Sequence, residues 1–193
     1  MSKLNRKGFT LIELLAVITI MGILMVVAIP SISRTIENTR RDSLLDTAKQ
    51  YVNGVKTMWI SDSLECPETA GGTTYTLASA LPDGDYYVNI DSASVAAGSG
   101  GAGTTLPIIL ESGGTSSWSN KPLKGYVKVS VSGSGTGTMK QKYYIAVADG
   151  THGVNDSEGM STEYLSLKRG NIKLTGVSLA PKTASAVKLC KEV

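Results

Sequence analysis

The stretch that decides the fold is Lys7-Gly8-Phe9-Thr10-Leu11-Ile12-Glu13, with the apolar run that follows it as far as Pro30. Between Leu14 and Ile29 the only polar side chain is Thr19, and a helix of this length is about long enough to cross a bilayer. Glu13 is the exception, because an acid inside a membrane-length helix costs at least about 2.5 kcal/mol unless it finds a partner. The segment therefore predicts a membrane-length helix whose acid has a function.

A partner for Glu13 becomes available if the chain is cut after Gly8. Phe9 would then carry a free α-amino group, which is largely protonated at neutral pH. Glu13 lies four residues further on, one helical turn away, so the two charges could meet within one chain or between neighbouring copies. Pairing between copies would place docking helices in register.

At these residues the sequence resembles the type IV pilins and pseudopilins, which have a short basic leader, Gly before the cut, Phe after it and Glu four residues later. The resemblance implies that a prepilin peptidase cleaves between Gly8 and Phe9 and methylates the new N-terminus. It also implies assembly through Phe9, Glu13, Gly22 and Pro30. The resulting homo-oligomeric filament would grow from an inner-membrane assembly platform, with the helices at its centre. The resemblance covers roughly the first third of the chain.

Two other interpretations of the N-terminal stretch are weaker. A secretory signal has its cleavage site after the apolar part, whereas here the plausible cut lies before it and no Ala-x-Ala pattern follows. A plain single-pass membrane anchor fits the length of the apolar run, but it leaves Glu13 unexplained.

Charge and composition restrict the remaining function classes. The 193-residue chain has 19 basic and 16 acidic residues. Lys3, Arg6 and Lys7 lie in the leader, so its removal leaves 16 of each and no general electrostatic attraction for nucleic acid. With two cysteines and one histidine, a nucleophile paired with a histidine base would depend on His152 alone. We expect a structural protein without enzymatic activity or cofactor.

The chain divides into a leader at 1–8, a membrane and filament-core helix at 9–35 and a globular domain at 36–193. Apolar residues continue at helical spacing beyond Pro30, which predicts one helix from Phe9 to about Trp59. Pro30 favours a kink, Gly22 weakens the helix, and Gly54 could end it early. By resemblance to related filaments, we expect the helix to be kinked or locally unwound between Gly22 and Pro30.

Beyond the helix, short runs of β-branched and aromatic residues bounded by turn residues predict strands. The expected strands are Tyr86–Ile90, Leu106–Leu110, Gly125–Val131, Lys142–Ala148 and Tyr164–Leu167. The glycine-rich stretch at 132–137 predicts a hairpin between the third and fourth of these. The fold class is α+β: a lollipop in which the outer half of the long helix packs on an antiparallel sheet.

Three polar sets could carry chemistry, and each has a plainer interpretation. Oxygen ligands on a glycine-bent loop suit Ca²⁺, but this loop lacks EF-hand spacing and could be a solvated acidic turn; its candidates are Asp149, Asn155, Asp156 and Glu158. The tyrosines could line a carbohydrate or nucleic-acid surface, although their positions in strands favour core edges. The lysines around the hairpin could form a basic strip for DNA or a host surface, or only a solvated strand face; they are Lys121, Lys124, Lys128, Lys140 and Lys142.

Cys66 and Cys190 are an even set with one possible intramolecular pairing, in a chain expected to reach an oxidising compartment. Pilins of several lineages have a disulfide that ties a C-terminal region to the body, but the spacing here is unusually wide. We expect a disulfide that fastens the C-terminal strand to the end of the helix. The alternative is two buried free thiols.

The expected function is that of a structural subunit of a type IV pilus-like extracellular filament. The subunit would sit as a single span in the cytoplasmic membrane, in contact with lipid, before it assembles into a pilus on the cell surface. One alternative within the family is a minor pilin or pseudopilin of a type II secretion or DNA-uptake system. The alternative from another class is a membrane-anchored binding module that never polymerises.

Overall fold

The computed structural model describes residues 9–72, 74–91, 114–134, 138–155, 162–177, 179, 182–183 and 185–192. The chain divides into two compact units, Met1–Thr39 and Arg40–Val193. Several expected features lie outside the described residues. They are the leader with Gly8, the strand at 106–110, and the candidate metal ligands Asp156 and Glu158.

Helix α1 runs from Leu11 to Ile60 and confirms the long helix expected from the apolar spacing. It is continuous through Gly22, Pro30 and Gly54, so the early end considered at Gly54 is not adopted. Proline removes one backbone donor, and the turns on both sides remain helical. Local unwinding between Gly22 and Pro30 is absent from this single chain and remains a prediction for the filament.

The C-terminal end of α1 is closed by a Schellman motif. The N–H of Ser63 donates to the carbonyl of Met58 at 3.0 Å, and the N–H of Asp62 donates to that of Trp59 at 3.4 Å. Asp62 adopts the left-handed conformation, with φ of 52°, at the position usually taken by glycine. Its carboxylate accepts the backbone N–H of Ser79 at 3.1 Å, which joins the helix end to the chain that follows.

Two sheets follow the helix. The strands are β1 (Leu64–Pro67), β2 (Tyr75–Leu77), β3 (Gly84–Asp91), β4 (Lys124–Ser132), β5 (Lys140–Ala148), β6 (Gly153–Val154), β7 (Ile172–Lys173), β8 (Lys188–Leu189) and β9 (Lys191–Glu192). One sheet has the order β2-β1-β9 and the other has the order β7-β6-β5-β4-β3-β8. Short 3₁₀ helices occupy Ala78–Ala80, Tyr164–Ser166 and Arg169–Asn171.

The strand predictions are confirmed for the three long strands and wrong at Tyr164–Leu167, while the predicted strand at 106–110 lies outside the described residues. Strands β3, β4 and β5 contain the expected segments, and β4 pairs with β5 as an antiparallel hairpin. The segment Tyr164–Leu167 is not a strand: residues 164–166 form a 3₁₀ helix, and the phenol oxygen of Tyr164 lies 3.0 Å from the ammonium of Lys56 on α1. The larger sheet is mixed rather than wholly antiparallel, because β8 runs parallel to β3.

Alternation along the strands separates two faces of the larger sheet. On one face Val127, Val129 and Val131 are buried in a cluster with α1 residues from Leu44 to Trp59. On the opposite face, called here the outer face, a smaller cluster joins β4 and β5 to the segment after β7; its members are Tyr126, Ala146, Ala148, Val177 and Leu179. The α+β arrangement expected from the sequence is confirmed.

Gly125 allows close pairing in the middle of the larger sheet. It has φ of +155°, and a Cβ atom at this position would overlap the carbonyl oxygen of Ala146 on β5. Any side chain would therefore push the two central strands apart.

The C-terminal strands connect the two sheets. Leu189 pairs with Tyr87 on β3, and Lys191 pairs with Glu65 on β1. Between these strands, Cys190 is fully buried, donates its N–H to the carbonyl of Tyr87 at 2.8 Å and forms a disulfide with Cys66. This pairing is the one expected from the sequence, and it lies where the two sheets meet.

Candidate assembly helix and head

The first part of α1 exposes its apolar side chains on all sides. From Phe9 to Ile32 every large apolar side chain is at least 50% exposed, and Phe9 is 90% exposed. Soluble monomers rarely expose an apolar surface of this extent, which marks a protein or membrane contact. Within the described ranges, α1 is the one helix whose length and composition would let it cross a membrane.

Glu13 and Thr10 form a capping box at the start of α1. The Glu13 carboxylate accepts the backbone N–H of Thr10 at 2.8 Å and its hydroxyl at 2.9 Å, both on Oε2. In return, the backbone N–H of Glu13 donates to the Thr10 hydroxyl at 3.4 Å. These bonds satisfy donors that the first helical turn would otherwise leave unpaired. Helix α1 therefore begins immediately after Thr10.

This role of Thr10 was not among the predictions from the sequence. The signal was present, because Thr-x-x-Glu before an apolar run is the signature of a capping box. The capping box gives Glu13 a hydrogen-bond partner inside its own chain, and the N-terminal end of the helix remains accessible. Glu13 is exposed, as are Phe9 and Thr10 beside it. A cation from a neighbouring copy could therefore reach the carboxylate.

Among the described residues, no contact explains why residue 22 is glycine. A Cβ atom there would have no neighbouring atom within 4 Å, and φ is outside the left-handed region. Glycine costs about 1 kcal/mol relative to Ala in a helix. A small residue lets another helix approach closely, so Gly22 suits a contact between chains rather than within this one.

In the globular unit, Asp149 is buried at the end of β5 and joins two segments. Its Oδ1 accepts the backbone N–H groups of Thr151 and His152 at 2.8 and 2.7 Å. Its Oδ2 accepts the hydroxyls of Ser116 and Ser119. Burial alone would raise the pKa of this carboxyl, but these hydrogen bonds outweigh it and hold the pKa of Asp149 well below its usual range.

These contacts correct the expectation of a solvated acidic turn. Asp149 and Asn155 are buried, and the Asn155 amide donates to the carbonyl of Ile145 at 2.9 Å. The described part of the loop contains no group of three potential metal ligands. His152 stacks on Trp118, with ring centroids 4.7 Å apart and planes inclined by 6°. The two described candidate ligands therefore hold the loop in place.

The tyrosines lie mostly in the core, as the strand positions predicted. Tyr86, Tyr126, Tyr143 and Tyr164 are buried. Desolvation on burial, with a smaller contribution from Tyr164, raises the pKa of Tyr143 to about 12. Part of the predicted basic strip is present, because the lysines of β4 and β5 lie together on the outer face.

Comparison with known proteins agrees with these features. A family model described as "Prokaryotic N-terminal methylation motif" matches residues 3–29. The chain is 32% identical over 109 residues to the type IV major fimbrial protein FimA of Dichelobacter nodosus, a match that covers 56% of this chain and 67% of that protein. No solved structure matches the chain. The long apolar helix, the sheets that follow it and this relative show that the chain belongs to the type IV pilin family.

Proposed function

We propose that this pilin is the structural subunit of a type IV pilus-like extracellular filament. A prepilin peptidase removes residues 1–8 and methylates Phe9, and the subunit then spans the cytoplasmic membrane until an inner-membrane platform adds it to the filament. The observation that carries the proposal is the unburied apolar surface from Phe9 to Ile32. The relative is named as a major fimbrial protein, which favours a pilus over a pseudopilus.

The exposed apolar surface of the helix drives both its insertion into the membrane and its burial in the filament. Burying one large apolar side chain stabilises a protein by about 1.5–3 kcal/mol. Sixteen such side chains are exposed between Phe9 and Ile32, so transfer into lipid or between other helices is strongly favoured over exposure to water. A filament core built from these helices replaces the lipid with copies of the same surface.

Glu13 gives the assembly its register. In lipid an isolated carboxylate is costly, and the Thr10 capping box offsets only part of that cost. The methylated amine of Phe9 on a neighbouring subunit would supply the opposite charge. An incoming helix is then best held where its Glu13 reaches that amine, and Gly22 allows the close approach between helices.

Processing is the first test. Filaments sheared from cells should contain a chain that begins at N-methyl-Phe9, measured by intact mass and N-terminal sequencing. A mature chain that keeps Met1, or that begins after the apolar run, would contradict the proposal. Electron microscopy of the same material distinguishes the alternatives. Filaments built mainly of this chain indicate a pilus, trace incorporation indicates a minor pilin, and membrane-bound protein without filaments indicates an anchored binding module.

The second test separates the charge of Glu13 from its capping role. Glu13→Gln keeps an acceptor for the Thr10 N–H but removes the charge, whereas Thr10→Val removes the hydroxyl and keeps the charge. We expect Glu13→Gln to be inserted and cleaved but to yield few filaments, and Thr10→Val to retain most of them. Filament yield by shearing, normalised to membrane subunit, measures both. Normal assembly of Glu13→Gln would show that the charge pairing is wrong.

A further inference from the structure

Two separate segments hold the first turn of α1 in the globular unit. The hydroxyl of Ser117 donates to the carbonyl of Arg40 at 2.8 Å, which fixes the segment before β4. Arg169, in the last of the 3₁₀ helices, donates to both carboxylate oxygens of Asp42 at 2.6 and 2.5 Å. Both segments therefore contact α1 within one turn of where the globular unit begins. We call this end of the globular unit the entry end.

The entry end carries exposed positive charge on all three of these segments. The cations are Arg40 on α1, Lys121 in the segment before β4, and Lys168 immediately before the 3₁₀ helix. All three are exposed, and no described acidic side chain forms an ion pair with any of them. The backbone of Lys121 is fixed, because its carbonyl accepts the N–H of Ser116 at 2.9 Å. Each segment therefore presents one free cation at the same end of the unit.

The acids of this region offset only part of that charge. Asp42 is already paired with Arg169, and the buried carboxylate of Asp149 is occupied by its four hydrogen-bond donors. Asp46, one turn further along α1, is exposed and opposes one of the cations. Among these described groups, three free cations therefore face one free acid. The arrangement suits a partner that carries negative charge.

The position of Arg40 in the chain indicates which partner lies within reach. Arg40 follows Ile32 by eight residues, and a helix rises about 12 Å over that number. If the helix up to Ile32 fills the hydrocarbon core, the headgroup layer accounts for about 5–8 Å of this rise. Arg40 then lies within about 8 Å of the headgroups, which is one Debye length at physiological ionic strength. Attraction between the entry end and lipid phosphates is therefore only partly screened.

Trp118 gives the same end an aromatic side chain suited to a membrane interface. It is partly exposed in the segment that contains Lys121, stacks on His152 and packs against the main core. Tryptophan is enriched where a bilayer meets water, because its ring is mostly apolar and its N–H is polar. The packing holds the ring in one place beside the cations.

We propose that the entry end binds the anionic headgroups of membrane lipids through Arg40, Lys121 and Lys168 before the subunit assembles. Each basic side chain close to an anionic surface raises the affinity about fivefold, so three of them hold the globular unit against the bilayer. Addition of the subunit to a filament must then break this contact. The inference rests on the membrane-spanning stage of the proposed function and requires no filament.

The test follows the reactivity of single lysines in the full-length chain reconstituted into liposomes. Liposomes of phosphatidylcholine alone are compared with liposomes that also contain the anionic lipid phosphatidylglycerol. A membrane-impermeant acylating reagent labels the lysines, and peptide mass spectrometry gives the rate at each one. Lys121 and Lys168 should react about threefold more slowly in the anionic liposomes at low salt. The slowing should disappear at about 1 M salt, where the Debye length is about 3 Å.

Lys140 is the internal control for a general effect of the anionic surface. It is exposed at the opposite end of β5, eight residues and about 27 Å from Ala148. Its rate should be the same in both kinds of liposome.

The variant Arg40→Gln distinguishes binding from mere nearness to the bilayer. It removes one cation and keeps the backbone carbonyl that accepts the Ser117 hydroxyl. A contact weakened fivefold reduces a threefold slowing at Lys121 and Lys168 to about 1.4-fold. The matched control Lys140→Gln removes the same charge elsewhere and should keep the threefold slowing. Tryptophan fluorescence of both variants should match that of the unmodified chain, because Trp59 and Trp118 both lie in the globular unit.

Several results would overturn the proposal. They are equal rates at Lys121 and Lys168 in both liposomes, equal slowing at Lys140, and slowing that Arg40→Gln leaves unchanged. Slowing that fades as lipid is added at constant protein would show that a second copy covers the entry end. Slowing in neutral liposomes on addition of glycerol phosphate would show that a free phosphate is the ligand.

Flotation of the liposomes separates this inference from the proposed function. The chain should float with both kinds of liposome, because its apolar helix inserts into either. A chain that floats without slowing at Lys121 and Lys168 overturns this inference alone. A chain that does not float overturns the membrane stage of the proposed function and this inference with it.

Discussion

Replacing Asp149 should destabilise the globular unit more than replacing any other acid in the described residues. The carboxylate is buried and accepts four hydrogen bonds, two from backbone N–H groups and two from serine hydroxyls. It thereby joins the turn after β5 to the segment before β4. That segment also donates the hydroxyl of Ser117 to the Arg40 carbonyl of α1 at 2.8 Å, so the effect should extend to the helix contact.

Asp149→Ala leaves all four donors without their acceptor. A buried donor without a partner costs about 1–3 kcal/mol. Thr151 is exposed and His152 is partly exposed, so water can reach part of what is lost. The expected decrease in the free energy of unfolding is therefore about 3–5 kcal/mol rather than the full sum. That is a large fraction of a typical domain stability of about 5–15 kcal/mol.

Asp149→Asn should be milder because the amide can serve both pairs of donors. Its oxygen can accept the two N–H groups, and its NH₂ group can donate to the serine hydroxyls after they rotate. The loss is then mainly the charge assistance of the hydrogen bonds, about 1–2 kcal/mol. Asp83→Asn is the matched control, since the exposed Asp83 accepts the N–H groups of Gly133 and Ser134. It should change stability less than either variant.

The pH dependence gives an independent check. The pKa of Asp149 is lower in the folded chain than in the unfolded one, where an aspartate titrates at about 3.9. Such a group contributes stability above the unfolded pKa and loses it as the pH falls towards the folded pKa. The stability difference between the unmodified chain and Asp149→Asn should therefore be full at neutral pH and shrink progressively below about pH 4.

Urea unfolding of the full chain in mild detergent, followed by tryptophan fluorescence, measures these differences. Trp118 stacks on His152 beside the carboxylate, and Trp59 is buried in the main core, so both local and global loss are visible. The expected order of destabilisation is Asp149→Ala, then Asp149→Asn, then Asp83→Asn. An Asn variant as unstable as the Ala variant, or a difference that does not change with pH, would refute the hydrogen-bond argument.

Three further predictions concern the same unit and the same measurement. Cys66→Ala/Cys190→Ala should lower the free energy of unfolding by about 2–5 kcal/mol, since the bond closes a loop of 124 residues; an unchanged midpoint under non-reducing conditions would contradict this. Gly125→Ala should cost about 3 kcal/mol or more, because its Cβ overlaps the Ala146 carbonyl, and a stable variant would show that the strands can separate. Asp62→Val should cost about 2 kcal/mol at the left-handed helix end, whereas Asp62→Asn should stay within about 0.5 kcal/mol; equal losses would rule out the backbone as the cause.

Long elements with a repeating pattern could be predicted from the sequence. The apolar spacing from Phe9 to Trp59 located α1, and alternation in 125–131 identified β4 and its buried face. Strands of two or three residues could not be found, because they are too short to show an alternating pattern. Strand β8 lies parallel to β3 about 100 residues after it, and no local signal predicts that pairing.

The errors have specific physical causes. The run Tyr164–Leu167 has the composition of a strand, but its tyrosine contacts Lys56 and its backbone forms a 3₁₀ turn. Asp149 was expected to be solvated because acids usually are, and the serines that justify its burial are about 30 residues away. The Thr10 capping box is readable from the sequence, and Glu13 therefore has two roles: it caps the helix and it is an acid in an apolar segment.

The bond between Cys66 and Cys190 also sets an order of events during synthesis. A polypeptide is synthesised from its N-terminus, so the disulfide of Cys66 cannot form until the next 124 residues, which end in Cys190, have been made. Until then Cys66 is the one cysteine that has been made, so any disulfide it formed would be with another chain. The fold limits this hazard, because Cys66 lies on β1, which can pair with β2 long before Cys190 exists. The hairpin would hold the early thiol in place until the late one arrives.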